Sequence, residues 1–136
     1  MSRIVPADIV RKVRARAHSL CEYCKFCDMN SPGCFPVDHI IARQHRGSST
    51  LENLAWSCPM CNSLTGTNLS SIDPETGDPV LLFHPRNDNW HRHFVMREGV
   101  IVPQTAQGRA TLLLLNMNEP EVVAFRRRYF RINPLP

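Results

Sequence analysis

Cys21-Glu22-Tyr23-Cys24 and, further along, Cys58-Pro59-Met60-Cys61-Asn62 decide how this sequence is read. Each holds a CxxC pair, the short loop that lets two thiolates converge on one tetrahedral zinc at about 2.3 Å. Two such pairs make a four-cysteine zinc site of Cys21, Cys24, Cys58 and Cys61 the leading reading. A single CxxC suits redox chemistry; two in one chain are hard to explain that way. Four thiolates leave zinc no open coordination position, so the expected metal is scaffold and not catalyst. Cys27 and Cys34 are left over, as buried small residues, a further soft-metal contact or a local disulfide.

Zinc would close the loop from residue 24 to residue 58 and gather the polar residues in and beside it. Those are Asp38 and His39 within Val37-Asp38-His39-Ile40-Ile41, then Asn53, then Asn62 directly after the last cysteine. Asp38 and Asn62 offer oxygen atoms, the ligands that a hard cation such as Mg²⁺ prefers. His39, with an ordinary pKa of about 6.5, suits removal of a proton from water near neutral pH. With a cation to stabilise charge on a phosphate, the set describes phosphodiester hydrolysis. Neighbouring residues of a flat strand face opposite ways, so the strand carrying Asp38 and His39 must end, twist or bulge near His39.

The runs CEYC, FPVDHI, LENL and CPMCN, from about Cys21 to Gly66, resemble the HNH endonucleases, whose fold is the ββα-metal finger. The resemblance implies that His39 is the general base. It implies that Asn53 is the middle residue of the motif, grouped with the catalytic set but bracing the loop and the histidine. Asn62 would stand at the last motif position, where asparagine is a metal-binding variant, and Asp38 would be the other ligand of the catalytic Mg²⁺ or Mn²⁺. Two positions depart from the pattern. Arg46-Gly47 stands where many members have Gly-Gly, and Asn62-Ser63-Leu64-Thr65-Gly66 lacks a common lysine.

Outside this core, Ile9, Val10, Val13, Ala17 and Leu20 recur at helical spacing from Pro6 to Leu20. Residues 25–34 read as loop, Phe35 to Ile41 as a strand, 42–50 as loop and Asn53 to Ser57 as a short returning strand. A helix is expected from Pro59 towards Asn68. Seven of the eleven prolines lie beyond residue 70. There, a turn over 73–79 precedes the apolar run Val80 to Phe83, and a hairpin pairs Phe94-Val95-Met96 with Val100-Ile101-Val102. Helices follow over Ala106 to Asn116 and Glu121 to Arg131. His91 and His93 alternate as on one face of a strand; with His84 they suit packing or a substrate groove better than a second metal site. The run Arg126-Arg127-Arg128, with Arg131, reads most simply as a solvated helix face.

The 136 residues predict a single domain, with the core over 21–70 and an extension over 71–136. Hydrophobic residues at 43% and charged residues at 21% exclude a disordered or collagen-like chain. The longest aliphatic run, Leu112 to Leu115, is far below the roughly 20 residues that span a bilayer. No secretory signal is evident, so no membrane partner and a cytoplasmic setting are expected. Fourteen of the sixteen basic residues are arginine, in a chain of net charge +4. That balance suits a nucleic-acid partner, and Arg43 and Arg46, just after His39, are the best candidates for phosphate contact.

The expected fold is therefore α+β: a ββα-metal core on a four-cysteine zinc site, with a helix before it and a strand-and-helix extension after it. The expected function is metal-dependent endonuclease cleavage of nucleic acid, DNA in preference to RNA. The rival is a zinc-stabilised nucleic-acid-binding module without catalysis.

Overall fold

The computed structural model describes residues 5–136. Helix α1 (Ala7–Arg16) starts after Pro6 and turns Val13 inward, followed at its end by buried Ala17. Its arginines do more than face solvent. Arg14 is bonded through Nε and Nη2 to both oxygens of Asp28, and Arg16 donates to the carbonyls of Leu51 and Leu54. The helix is thereby tied to the segment that follows the first cysteine pair and to the strand before the second.

Strands β1 (Val37–His39) and β2 (Leu54–Trp56) form an antiparallel ribbon in which Asp38 faces Ala55 and His39 faces Leu54. Both are shorter than the sequence pattern, because β1 ends at His39 and Asn53 lies in a 3₁₀ turn. Helix α2 (Pro59–Thr65) begins after Cys58, whose sulfur accepts from the Cys61 N–H, with Pro59 in the first turn. The first cysteine pair joins this unit through Glu22. Its backbone N–H donates to the Trp56 carbonyl, and its carboxylate accepts from the Trp56 N–H and pairs with Arg86.

The extension adds two hairpins and three helices. Strand β3 (Ser70–Ile72), which the sequence does not announce, pairs with β4 (Pro79–Leu81). Asp73 closes their turn by accepting from the Glu75 N–H and the Thr76 hydroxyl, and its carboxylate takes both Nε and Nη2 of Arg109. That fork holds the Asp73 carboxyl well below the usual range and fixes the hairpin on α4 (Ala106–Leu114). Strands β5 (Phe94–Arg97) and β6 (Val100–Pro103) meet at Glu98-Gly99, both in the left-handed region as a tight hairpin turn requires. Gly99 has a second reason to be glycine: a Cβ there would lie 2.4 Å from the carbonyl oxygen of Val123, on the helix α5 (Pro120–Ile132) crossing the turn.

Two expectations are corrected here. His91 and His93 do not alternate along a strand; they lie in the one-turn helix α3 (Trp90–His93), started by the Asn89 side chain accepting from the His91 N–H. His93 is buried and bonded to Thr105, whereas His91 is exposed. Arg126 is not on a solvated face. It is 1% exposed, and its guanidinium donates to the carbonyls of Gly99, Cys24 and Met117 and to Asn118 Oδ1. Arg127 and Arg128 are exposed, as expected. Among the described residues no helix is long and apolar enough to cross a membrane.

Arg126 links β5–β6, the segment before α5 and the first cysteine pair, with every acceptor a neutral oxygen. Arg126→Met should leave those oxygens unpaired in the core and lower stability by about 3 kcal/mol or more. Denaturant unfolding of the zinc-loaded protein measures this, and a loss under 1 kcal/mol would contradict the bracing role.

Candidate metal centre and the polar site beside it

The four sulfurs of Cys21, Cys24, Cys58 and Cys61 lie within 4.8 Å of one another, and all four residues are buried. Zn–S bonds of about 2.3 Å make a tetrahedron with edges of roughly 3.8 Å; Cys24 Sγ and Cys58 Sγ stand 3.7 Å apart. The donor set therefore suits a structural zinc. Backbone N–H groups of Cys24 and Cys61 point at the sulfurs of Cys21 and Cys58, the usual support for thiolate charge at such a loop. Cys27 and Cys34 stand outside this cluster and form no disulfide; Cys27 is buried and Cys34 exposed.

Asp38 projects from β1 towards the first cysteine pair, where its Oδ2 accepts from the Tyr23 hydroxyl at 3.1 Å. The carboxylate is buried, and burial pushes its pKa up to about 7 against the opposing pull of the Tyr23 bond. Burial, with Asp38 beside it, holds the Tyr23 phenol well above its ordinary value, so it stays a donor. Asn62, half-buried on α2, directly follows the last sulfur ligand. The two oxygen donors are thus each one short link from the cysteine cluster.

His39, the final residue of β1, turns the other way. Its Nε2 lies 2.9 Å from the hydroxyl of Ser49, in the loop between β1 and β2. Burial, followed by the nearby Arg43 charge, lowers its pKa, which keeps the ring neutral and able to accept a proton. The strand ends at His39, but the end does not bring the two side chains onto a common partner: the carboxylate accepts from Tyr23 and the imidazole bonds to Ser49.

Asn53 holds the loop that carries Ser49. Its amide donates to the carbonyls of Ile41 and Ser48, and its Oδ1 accepts from the Ile41 N–H. Three of its four hydrogen-bonding positions are therefore spent on the turn. Gly47 fits beneath it only for want of a side chain: a Cβ would lie 1.7 Å from the Ile41 oxygen and 2.8 Å from Asn53 Nδ2. Arg43 and Arg46 are exposed in the same loop, and Arg46 takes a left-handed conformation at φ 66°. Sequence reasoning missed Tyr23 and Ser49. The position of Tyr23 between two ligands was the available signal for the first; Ser49 had none beyond its place in the loop after His39.

The model of the HNH endonuclease family matches residues 21–67, the stretch that contains both cysteine pairs, both strands of the ribbon and α2. Residues 21–67 are similar to the HNH endonucleases. The family's chemistry is cleavage of nucleic acid, and the HNH segment here has the four-cysteine cluster built into its frame. Comparison with curated proteins and with solved structures finds no match for the chain.

The cluster joins two distant loops, so its loss should be felt throughout the HNH segment. Cys58→Ser, or extraction of zinc by a strong chelator, should abolish cooperative unfolding of residues 21–67. Zinc content by mass spectrometry should fall from one ion per chain to less than half, with thermal melts following it. An unchanged melt after complete zinc removal would refute the scaffold role.

Proposed function

We propose that this HNH protein is a metal-dependent endonuclease that hydrolyses phosphodiester bonds of DNA, with His39 as general base. The observation that carries the reading is a neutral imidazole at a strand end, oriented by Ser49 on a loop that Asn53 braces. His39 takes the proton of the attacking water. Ser49 fixes the ring, and Asn53 acts as a positioning residue, since its own hydrogen bonds go to the backbone of the loop. Asp38 and Asn62 fit a hard cation as an oxygen-donor pair on the zinc-held frame, and they would hold Mg²⁺ or Mn²⁺. When bound there, the cation supplies charge stabilisation at the scissile phosphate and the leaving oxygen. Arg43 and Arg46 contact phosphates on either side of the reacting one.

One observation favours the rival reading, a nucleic-acid-binding module without turnover. Thr65, in the segment where the family often has lysine, is buried and donates back to the Cys61 carbonyl at 2.6 Å, so it presents no charge to a phosphate. Binding of DNA without cleavage in any divalent ion would select that reading.

His39→Ala should lower cleavage of plasmid DNA in Mg²⁺ or Mn²⁺ by about a hundredfold or more while leaving DNA affinity within a few-fold. Wild-type cleavage by that variant removes the proposed mechanism.

Arg46 gives a test in which stability and binding move in opposite directions. A non-glycine residue in the left-handed region is strained, and an exposed arginine kept there points to a use for its charge. Arg46→Gly should raise stability by about 0.5–1 kcal/mol and weaken DNA binding. The slope of log affinity against log salt should become shallower by about one phosphate contact. An unchanged salt slope would show that Arg46 touches no phosphate.

A further inference from the structure

A cavity of about 40 Å³, large enough for more than one water, is lined from both the HNH segment and the extension. Tyr23, whose hydroxyl ends on Asp38, and Ile40, two residues along from Asp38, form one wall. Thr65, one turn of α2 beyond Asn62, forms another, and Asn68 and His84 complete the polar rim over an apolar floor. The hydroxyls of Tyr23 and Thr65 are already donated, to Asp38 and to the Cys61 carbonyl. His84 is different.

The Nδ1 of His84 accepts from two backbone N–H groups, those of Arg86 and Asn87, both at 3.1 Å. A ring nitrogen that accepts carries no hydrogen, so the neutral imidazole has its proton on Nε2. Nε2 is bonded to no other described residue. A protonated Nε2 cannot ligate a cation or act as a base, and Nδ1 is occupied. One role is left for the ring: a neutral hydrogen-bond donor. The backbone around it is pinned as well, since the Phe83 N–H donates to Thr111 and the His84 N–H to Asp88.

A nucleic-acid backbone offers acceptors without donors at its phosphates. We propose that His84 donates from Nε2 to a phosphate oxygen of the nucleic acid at this cavity, whose wall includes Tyr23, the partner of Asp38. This rests on the nucleic-acid-cleaving reading above and adds a substrate contact from the extension, outside the matched segment of residues 21–67.

Two variants separate the donor from the turn it sits in. His84→Asn keeps an oxygen where Nδ1 accepts the two N–H groups but removes the Nε2 donor. His84→Gln places an amide N–H near the position of Nε2 and gives up the turn acceptor. The probe is a fluorescein-labelled DNA duplex, bound by the zinc-loaded full chain without added divalent ion and followed by anisotropy across a salt series. His84→Asn should bind about tenfold more weakly. Its salt slope should be that of the unaltered protein, since a neutral donor releases no counterion. His84→Gln should recover affinity to within about threefold, and in Mg²⁺ the asparagine variant should show a raised KM with kcat nearly unchanged.

Unaltered affinity and KM in a folded His84→Asn overturn the proposal, and so does a folded His84→Gln that binds no better than the asparagine variant. Cleavage by the unaltered protein with no effect of either variant sinks this inference alone. Tenfold weaker binding by His84→Asn in a protein that cuts nothing upholds the contact and sinks the catalytic reading.

Discussion

Four sulfurs held within 4.8 Å in a buried cluster cannot all carry charge unless a cation sits among them, and this constraint organises the whole HNH segment. A zinc ion bound there would lock the loop of Cys21 to Cys24 against the start of α2, next to the ribbon of β1 and β2. Each polar residue of the proposed site is then a short covalent or hydrogen-bonded step from that lock. Tyr23 sits between two ligands and holds Asp38; Asn62 follows the fourth ligand; Asn53 directly precedes the strand that leads into Cys58. A site built this way inherits its rigidity from the metal and needs little core of its own, which suits a segment with strands of three residues.

A zinc ion with four thiolates carries a net charge of about −2, and that charge lies beneath the extension. Arg126 brings a buried guanidinium to the Cys24 carbonyl, and Lys25, lying over the Trp90 ring, is the other cation close to the sulfurs. Burial lowers the pKa of both, and the thiolates oppose that shift, so cluster and cations favour one another's charged forms. No carboxylate accepts from Arg126, which leaves the metal cluster as its nearest compensation. The extension therefore does more than cover the HNH segment, because part of its electrostatic balance is drawn from the cluster.

The features legible in the sequence are those written in local patterns. Two CxxC pairs announce the cluster, the 3.6-residue spacing announces α1, and the turn residues announce both hairpin turns. What was not legible depends on partners distant in the chain. Arg126 sits in a run of three arginines that looks solvated, and its burial becomes affordable only when carbonyls of Gly99, Cys24 and Met117 converge on it. Strand β3 is Ser-Ser-Ile, and it forms because Asp73 closes the turn and Arg109 anchors it. His91 and His93 alternate in sequence, yet the Asn89 cap starts a helical turn there, and a single turn is too short to show a period. For the candidate site, the sequence offers residue types and their order, whereas the contacts of Ser49, Tyr23 and His84 come from across loops.

Asp38 and His39 are adjacent in the chain, and the alternation of a strand sends them to opposite sides. This is a division of labour if the reaction proposed here takes place beyond the strand end. On one side the carboxylate is buried and accepts from the Tyr23 hydroxyl, beside the first cysteine pair. On the other the imidazole is kept neutral by burial and by Arg43, and Ser49 holds it in the loop that reaches solvent. Were both on one face, the carboxylate would lie against the ring and raise its pKa, making it a poorer base near neutral pH. In the mechanism proposed above, separating them would let the base work without a neighbouring carboxylate raising its pKa.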